Sequence, residues 1–481
     1  MKKDQLDAFI IILGRLIWMV AALISIRVLT SLLAPVEIGR MTIFMTIIGF
    51  FGLFMLNPIG MFVNRQIIGW RRRGLLKINL IYLMLYILAV SIIAVFVMSL
   101  LRPFMIFDGQ AAYYEFISII FLGVLITSLQ TAFISYINFF KMRLAFVLLS
   151  NLSAWAALLF STLLVLFLAK KAELWLLGQF SSQMIFFLVS LYILLRLSKA
   201  SGHQEKFRIY SLHKFKNVLH FSVPLSLSVL FYWLQTQGYR FILQYKYGLE
   251  ILGIFFVVFN IGAQLLLAFE TMFNQFYHPI FYNTVSTEDV SKRTNAWNAF
   301  AEAFLPALTL TLLFIASSGA ILIKIFVPRF YWPFSYLLFF GALVEGLRVF
   351  NTAYSMAAHA EYKTSSLLLP SIVAGITSIA LVYFLPAINL FYGVAAALTL
   401  AGLLGLWILR IEIKKIMPIK FPMIRTFKVI IYSLPLFLGL GVFYWLNLGG
   451  YYWNFAFILI MGGYYLLGQY LLARNWIRES L

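Results

Sequence analysis

Arg27-Val-Leu-Thr-Ser-Leu-Leu-Ala-Pro-Val-Glu37-Ile-Gly39 stands at the end of one long apolar stretch. Arg240-Phe-Ile-Leu-Gln-Tyr-Lys-Tyr-Gly-Leu-Glu250-Ile-Leu-Gly253 stands at the end of another. In both copies ten residues separate the arginine from the glutamate, and a glycine follows within three. A chain built from two copies of a half-transporter places its site between the halves, at membrane depth. The repeat therefore predicts a cavity between two bundles, with one arginine from each.

The surrounding composition is that of a membrane protein. Of 481 residues, 63% are hydrophobic and 11% charged, about half the charge of a soluble domain. Apolar runs of about 20 residues recur along the chain and read as transmembrane helices; the weak alternation of a membrane β-barrel is absent. The net charge of +21 does not point to nucleic acid, because most Lys and Arg fall in loops on one side. That is the positive-inside bias, which orients the protein without a partner. Cysteine is absent, which excludes disulfides, thiolate metal sites and thiol nucleophiles. Met1-Lys2-Lys3 resembles a signal n-region, but Arg15 interrupts the apolar run and no small-residue cleavage site follows, so an uncleaved first helix is expected.

Fourteen spans are expected, among them Phe9–Leu33, Val218–Gln244, Ile251–Phe273, Ala296–Phe326 and Phe334–Ala358. An even number puts both termini on one side. The clusters Arg65, Arg71, Arg72, Arg73, Lys77 and Arg410, Lys414, Lys415, Lys420, Arg425 assign that side to the cytoplasm. The expected organisation is a six-helix bundle over 1–197, a cytoplasmic linker over 198–217, a second six-helix bundle over 218–410, and over 411–481 a basic loop with two extra helices. The longest connections, Lys199–Lys216, Gln275–Asn295 and Arg410–Lys428, all face inward. The first mixes Lys206, Arg208 and Lys214 with Phe207, Tyr210 and Phe215, which suits a helix lying on an anionic leaflet.

Ionisable side chains within a bilayer are costly and by default face a bundle interior or a wet cavity. Here the basic ones are Arg15, Arg27, Arg240, Lys324 and Arg348; the acidic ones are Glu270, Glu302 and Glu345. A planar, always-charged guanidinium suits phosphate, so Arg27 and Arg240 together are expected to hold a diphosphate. The competing reading pairs each with a carboxylate or lets it snorkel outward. Arg15 either snorkels to inner headgroups or faces the cavity. Lys324, near an outer helix end, is expected to snorkel. Glu345 and Arg348, three apart, share a helix face and can pair, opening if an anionic substrate competes for Arg348. Glu270 and Glu302 have no basic partner in their own spans. A carboxyl in a low-dielectric site can exchange a proton near neutral pH, which makes both candidates for ion coupling; the alternative is a hydrogen bond or ion pair to a neighbouring helix.

The histidines (His203, His213, His220, His278, His359) lack ligand spacing, so no metal site is expected. Neither a phosphate-binding Gly-rich loop nor a Gly-x-Ser-x-Gly elbow occurs, and no cofactor is implied. Tyr232, Trp233 and Tyr239 can stack on sugar rings, but core packing is the commoner role for any one aromatic side chain.

Four places resemble the polysaccharide-exporter (Wzx-type) branch of the multidrug/oligosaccharidyl-lipid/polysaccharide superfamily. They are Arg27–Gly39, Phe221-Ser-Val-Pro224-Leu225-Ser, Arg240–Gly253 and Tyr392-Gly393-Val-Ala-Ala-Ala397. Their order and spacing carry the resemblance, over spans one to twelve. One position departs: relatives often carry an acid just before the arginine of span seven, where this chain has Tyr239. The resemblance implies an all-α membrane protein of two pseudo-symmetric six-helix bundles in a V shape, with a cationic cavity, plus two extra C-terminal helices that resemble those forming a lipid-tail groove in the lipid II flippase.

The resemblance further implies a monomeric flippase of the bacterial inner membrane, both termini cytoplasmic. It would carry undecaprenyl-diphosphate-linked oligosaccharide (an O-antigen, capsule or exopolysaccharide precursor) across by alternating access. Arg27 and Arg240 would bind the diphosphate, Arg15 and Arg348 would extend the cationic path, and Glu270, Glu302 or Glu345 would couple to ions. Membrane lipids and other polysaccharide-assembly proteins are the implied partners. Two other readings remain. A multidrug/cation antiporter of the same superfamily needs acid in excess, and all three intramembrane acids lie in the second half. A polysaccharide polymerase needs a long outer loop, and every outer loop is short.

Overall fold

The computed structural model describes residues 3–102, 110–199, 226–227, 229–285, 290–361, 363–385, 390–446 and 450–480. Every regular element among them is helical. The expected linker over 198–217, apart from its first two residues, the opening of span seven through 225, and His203, His213 and His220 lie outside the described residues.

The helices are α1 (Lys3–Leu32), α2 (Pro35–Phe51), α3 (Asn57–Arg72), α4 (Leu76–Leu100), α5 (Gln110–Phe139), α6 (Arg143–Phe167), α7 (Ala172–Lys199), α8 (Tyr239–Val285), α9 (Val290–Phe326), α10 (Tyr336–Ala360), α11 (Leu368–Phe384), α12 (Leu390–Ile416), α13 (Met423–Tyr432), α14 (Leu434–Trp445) and α15 (Tyr451–Ser480). Among the described residues, twelve segments are long and apolar enough to cross a membrane. One of them, Val229–Asn274, has 46 residues. As continuous helix it would run about 70 Å, more than twice a bilayer core. It is broken at Gly248 (φ 84°, ψ 174°) and so holds two spans. Helix α10, 25 residues long, carries Glu345 and Arg348 and is not among the twelve; with it and the divided segment the fourteen expected spans are accounted for.

The two helix breaks explain much of the repeated motif. Pro35 opens α2 and holds Ala34 extended (φ −67°, ψ 154°), because a residue before proline is pushed out of the helical region. Eight residues after the second arginine the same break falls on Gly248. Its positive φ with extended ψ is a conformation that glycine alone adopts without strain.

The chain forms two compact units. One comprises Met1–Trp233 with Tyr247–Gly253, the other Leu234–Lys246 with Ile254–Leu481. In the first, Leu76, Leu80, Leu83 and Ile87 of α4 are buried at i, i+4, i+7 spacing. They pack with Phe133 and Ile137 of α5 and Phe187 and Leu194 of α7. The other side of α4 presents Leu85, Ile92 and Phe96, 55%, 55% and 62% exposed, the side suited to lipid. A π-helical turn, Gly52–Leu56, joins α2 to α3. Its Met55 carbonyl accepts a hydrogen bond from the Tyr86 hydroxyl at 2.8 Å, which satisfies a group the wider turn would otherwise leave open.

Within that unit the two motif copies touch. A Cβ on Gly39 would overlap the Leu249 carbonyl oxygen, and one on Gly253 would overlap the Pro35 carbonyl oxygen. Only glycine permits helix backbones to approach so closely.

In the second unit α13, α14 and α15 pack on α9 through two small cores, Leu310, Val429 and Leu436, then Ile321, Phe443 and Phe457. Gln469 of α15 donates to the Ala307 carbonyl (2.9 Å) and Thr311 hydroxyl (3.1 Å) of α9. The stretch Gln275–Asn295, expected as a connection, is largely helical: α8 continues to Val285 and α9 begins at Val290. Hydropathy marks where apolar surface ends, not where helix ends.

Candidate functional site

Arg27 lies just over a turn before the end of α1 and is exposed. It shares a helical face with the exposed apolar residues Leu16, Val20 and Ile24. Its carbonyl accepts from the hydroxyls of Ser31 (2.6 Å) and Thr30 (3.2 Å). Its guanidinium makes no ion pair among the described residues. The glutamate of its motif is occupied elsewhere: Glu37 Oε2 accepts the backbone N–H of Ala172, first residue of α7, at 2.8 Å, and Oε1 lies 3.3 Å from Arg40. A carboxylate on the first N–H of a helix satisfies an orphan donor and opposes the helix dipole. Arg40 also lies 3.7 Å from Glu173. This three-residue cluster escaped the sequence reading because its members sit at helix ends, where charge is ordinary.

Arg240 sits in the first turn of α8, after a π-helical turn at Leu234–Gly238. It is partly buried, donates to Gln237 Oε1 at 3.3 Å, and lies 5.3 Å from the ring centre of Phe256 and 5.8 Å from that of Tyr239. Tyr239, which stands where the resembled family often has an acid, is 3% exposed. Its ring meets Phe255 edge-on at 5.8 Å. Trp233 is likewise buried, with its ring 4.9 Å from Phe50. These two aromatics are core residues.

The remaining acids are brought to arginines by tertiary packing. Gly262 of α8 and Gly341 of α10 are pressed against each other's helix backbones; a Cβ on either would overlap a carbonyl oxygen, of Leu338 or Phe259. About two turns further along both helices, Glu270 and Arg348 meet. Arg348 donates through Nη2 to Glu270, through Nε to Glu345 at 2.8 Å, and through Nη1 to Thr352 at 3.4 Å. Two carboxylates thus share one guanidinium within the second unit. The Glu345–Arg348 pairing was legible from spacing; the entry of Glu270 depends on the helix crossing. Glu302 is half-exposed and lies 3.5 Å from Arg425 of α13. Lys324, near the end of α9, lies 5.8 Å from the ring centre of Trp332 and 5.7 Å from that of Tyr444. Arg293 and Glu361 form a bidentate pair at 2.6 and 3.0 Å, which sequence reading missed because 68 residues separate them.

Arg15 belongs to a different place. Twelve residues before Arg27 on one helix, its side chain projects about 120° away around the axis. It lines a cleft between α1 and α6 with Gly14, Trp18, Val147, Ser150 and Asn151.

No protein-family model and no curated protein sequence matches the chain. Solved structures do. A lipid II flippase MurJ in an inward closed conformation is 15% identical, with a TM-score of 0.67 over 98% of this chain and 99% of its own. An inward-facing multidrug resistance MATE family transporter of the MOP superfamily is 13% identical, with a TM-score of 0.61 over 83% and 95%. A mutant form of the Vibrio cholerae MATE transporter VcmN is 13% identical, with a TM-score of 0.57 over 85% and 95%. The chain thus has the fold of MOP-superfamily transporters, and in the MurJ comparison the likeness extends over nearly its whole length.

Proposed function

We propose that this protein is a flippase for undecaprenyl-diphosphate-linked oligosaccharide repeat units, working by alternating access in a bacterial inner membrane with both termini cytoplasmic. The observation that carries this reading is the contrast among the arginines. Arg40, Arg293, Arg348 and Arg425 each meet a glutamate. Arg27, on an exposed and otherwise apolar helical face, meets none among the described residues. A permanent cation at membrane depth calls for an anion, and a guanidinium matches the oxygens of a phosphate. Arg27 and Arg240, at equivalent places in the repeat, are the proposed diphosphate ligands. Arg348 joins them only if Glu270 or Glu345 releases it. Those two acids, with Glu302, are the proposed coupling residues.

The same contrast disfavours a cation antiporter. That activity needs carboxylates available to a cationic substrate, and Glu37, Glu270, Glu302, Glu345 and Glu361 are all beside arginines. The lipid II flippase neighbour, matched over 98% of this chain, supports a lipid-linked substrate; the sugar unit is an O-antigen, capsule or exopolysaccharide precursor.

The test is a deletion strain. Loss of the protein should leave undecaprenyl-diphosphate-linked glycan on the cytoplasmic face and strip surface polymer. Wild type should restore both, and the Arg27→Ala/Arg240→Ala variant, present in the membrane at normal level, should restore neither. Full restoration by the double variant would refute the assigned site. Intact surface glycan together with new sensitivity to cationic drugs would refute the flippase.

A further inference from the structure

Arg15, expected to extend the cationic path, shares a cleft with Asn151, a residue that the transport reading gives no part. Gly14 makes the cleft possible. A Cβ there would overlap the Val147 side chain and come within 3.3 Å of Asn151 Nδ2, so α1 and α6 approach closely at this point. The cleft holds about 300 Å³, including its open mouth. Asn151 Nδ2 donates to the Val147 carbonyl at 2.8 Å, and Ser150 Oγ donates to the Phe146 carbonyl at 2.7 Å. Asn151 Oδ1 is buried and has no hydrogen-bond partner among the described residues. Arg15, partly buried, makes no ion pair or hydrogen bond among them.

The two groups ask for complementary things. Arg15 has only donors and a fixed positive charge, so it requires an anion. Asn151 Oδ1 is an acceptor and requires a donor; leaving such an atom buried and unpaired costs about 1–3 kcal/mol. A phosphodiester lipid whose headgroup also carries an ammonium or hydroxyl supplies both. The surroundings suit the rest of such a molecule. On α6, Leu144, Leu148 and Leu152 are about half exposed beside the cleft. Ser150 lies seven residues into α6, about 10 Å from its start at Arg143. The basic residues Lys141 and Arg143 mark that end of the helix for the cytoplasmic face. A polar cleft at this depth sits close to the boundary between headgroups and acyl chains.

We propose that the α1/α6 cleft binds one inner-leaflet phospholipid, its phosphate on Arg15 and its headgroup donor on Asn151 Oδ1. The site lies wholly within the first compact unit, and it faces about 120° away from Arg27 around α1. The proposal stands whether or not the protein is a flippase.

Native mass spectrometry of the delipidated protein tests it, with added phosphatidylglycerol, phosphatidylethanolamine and phosphatidylcholine of matched chains. The first two carry a headgroup donor; the third carries a phosphate without one. Phosphatidylglycerol and phosphatidylethanolamine should be retained over phosphatidylcholine. Arg15→Gln should reduce retained phosphatidylglycerol about tenfold, the size expected for one charged hydrogen-bonded contact. Asn151→Leu should abolish the preference among headgroups while phosphatidylcholine still binds. If Arg15→Gln does not give folded protein, Arg15→Lys and Asn151→Leu carry the test: lysine should keep phosphatidylglycerol and leucine should lose the preference. Equal retention of all three lipids by wild type overturns the proposal, as does an Asn151→Leu variant that keeps the preference. Thermal stabilisation by inorganic phosphate equal to that by phosphatidylglycerol would also overturn it, showing a free-anion site.

Discussion

Replacing Arg348 by methionine should be the most damaging single change at the α8/α10 crossing. The guanidinium serves Glu270, Glu345 and Thr352, and the side chains of Arg348, Glu270 and Glu345 are 19%, 8% and 17% exposed. Methionine keeps most of the apolar stem but leaves two carboxylates close together with no cation. Removing one partner of a buried ion pair costs about 3–5 kcal/mol; the residual exposure of this cluster argues for the lower end, about 3 kcal/mol. Glu345→Gln is a milder change. It leaves Arg348 bound to Glu270 and an amide oxygen in place of the carboxylate, at a cost of about 1 kcal/mol. The triple variant Glu270→Gln/Glu345→Gln/Arg348→Met removes every charge, and neutral replacement of a buried charge cluster is often close to neutral in stability. Apparent unfolding temperatures in detergent, read by fluorescence-detected size exclusion, should rank Arg348→Met lowest. Glu345→Gln should fall near wild type, and the triple variant should recover most of the loss. An Arg348→Met protein that unfolds at the wild-type temperature would refute the reasoning, as would a triple variant no better than the single one.

The other expectations concern packing and backbone. Gly39→Ala puts a Cβ on the Leu249 carbonyl and should cost about 1–3 kcal/mol, whereas Gly60→Ala meets open space on α3 and should gain up to about 1 kcal/mol in helix propensity; unfolding temperatures distinguish them. Gly248→Ala, at φ 84°, should cost about 1–3 kcal/mol, while Pro35→Gly should cost under about 1 kcal/mol. Glu37→Ala removes the cap on Ala172 and should cost about 1–2 kcal/mol; Glu250→Ala, at an exposed residue, should fall within about 0.5 kcal/mol of wild type. Tyr331 is 2% exposed, with a hydroxyl lacking any partner among the described residues, so Tyr331→Phe should be neutral or stabilising by about 1 kcal/mol. Burial pushes that phenol up from 10.0 to about 12. The folded protein therefore holds the proton more tightly than the unfolded chain, and wild type should lose stability relative to the Phe variant as pH rises from 10.0 to about 12.

The helices were legible because apolar length is a local property, which is why span seven was expected to end at Gln244 and span eight to begin at Ile251; the extended backbone that Pro35 imposes on Ala34 was not read from the sequence. The break at Gly248 was not read either: glycine permits a positive φ without demanding it, and its match to Pro35, eight residues after an arginine in each copy, shows only once both breaks are seen. The charges divide the same way. Glu345 and Arg348 are three apart on one helix, so spacing alone joins them. Glu270 reaches Arg348 across 78 residues and Glu361 reaches Arg293 across 68. Those meetings are fixed by where α8, α9 and α10 pack, which no local pattern records. Tyr239 shows the converse: its place beside Arg240 marked it as a departure from the resembled family's pattern, and its burial against Phe255 and Phe259 shows an aromatic core contact there.

The repeated motif turns out to mix two kinds of information. Its helix break and its final glycine are architectural. Pro35 and Gly248 interrupt the chain by different chemistry at the same offset, and Gly39 and Gly253 admit the partner copy's backbone at a distance no side chain allows. Its glutamates do not act alike: Glu37 caps α7 and pairs with Arg40, whereas Glu250 is exposed. A residue with one structural purpose in both copies would make one contact twice, and among the described residues the glutamates do not do so. Arg240 is held against Gln237 and Phe256, while Arg27 is presented on an apolar face with no carboxylate. The proposed function gives both arginines one ligand, and a packing role gives them none. For that reason the arginines, rather than the acids that repeat beside them, are the residues on which the transport assay should first be run.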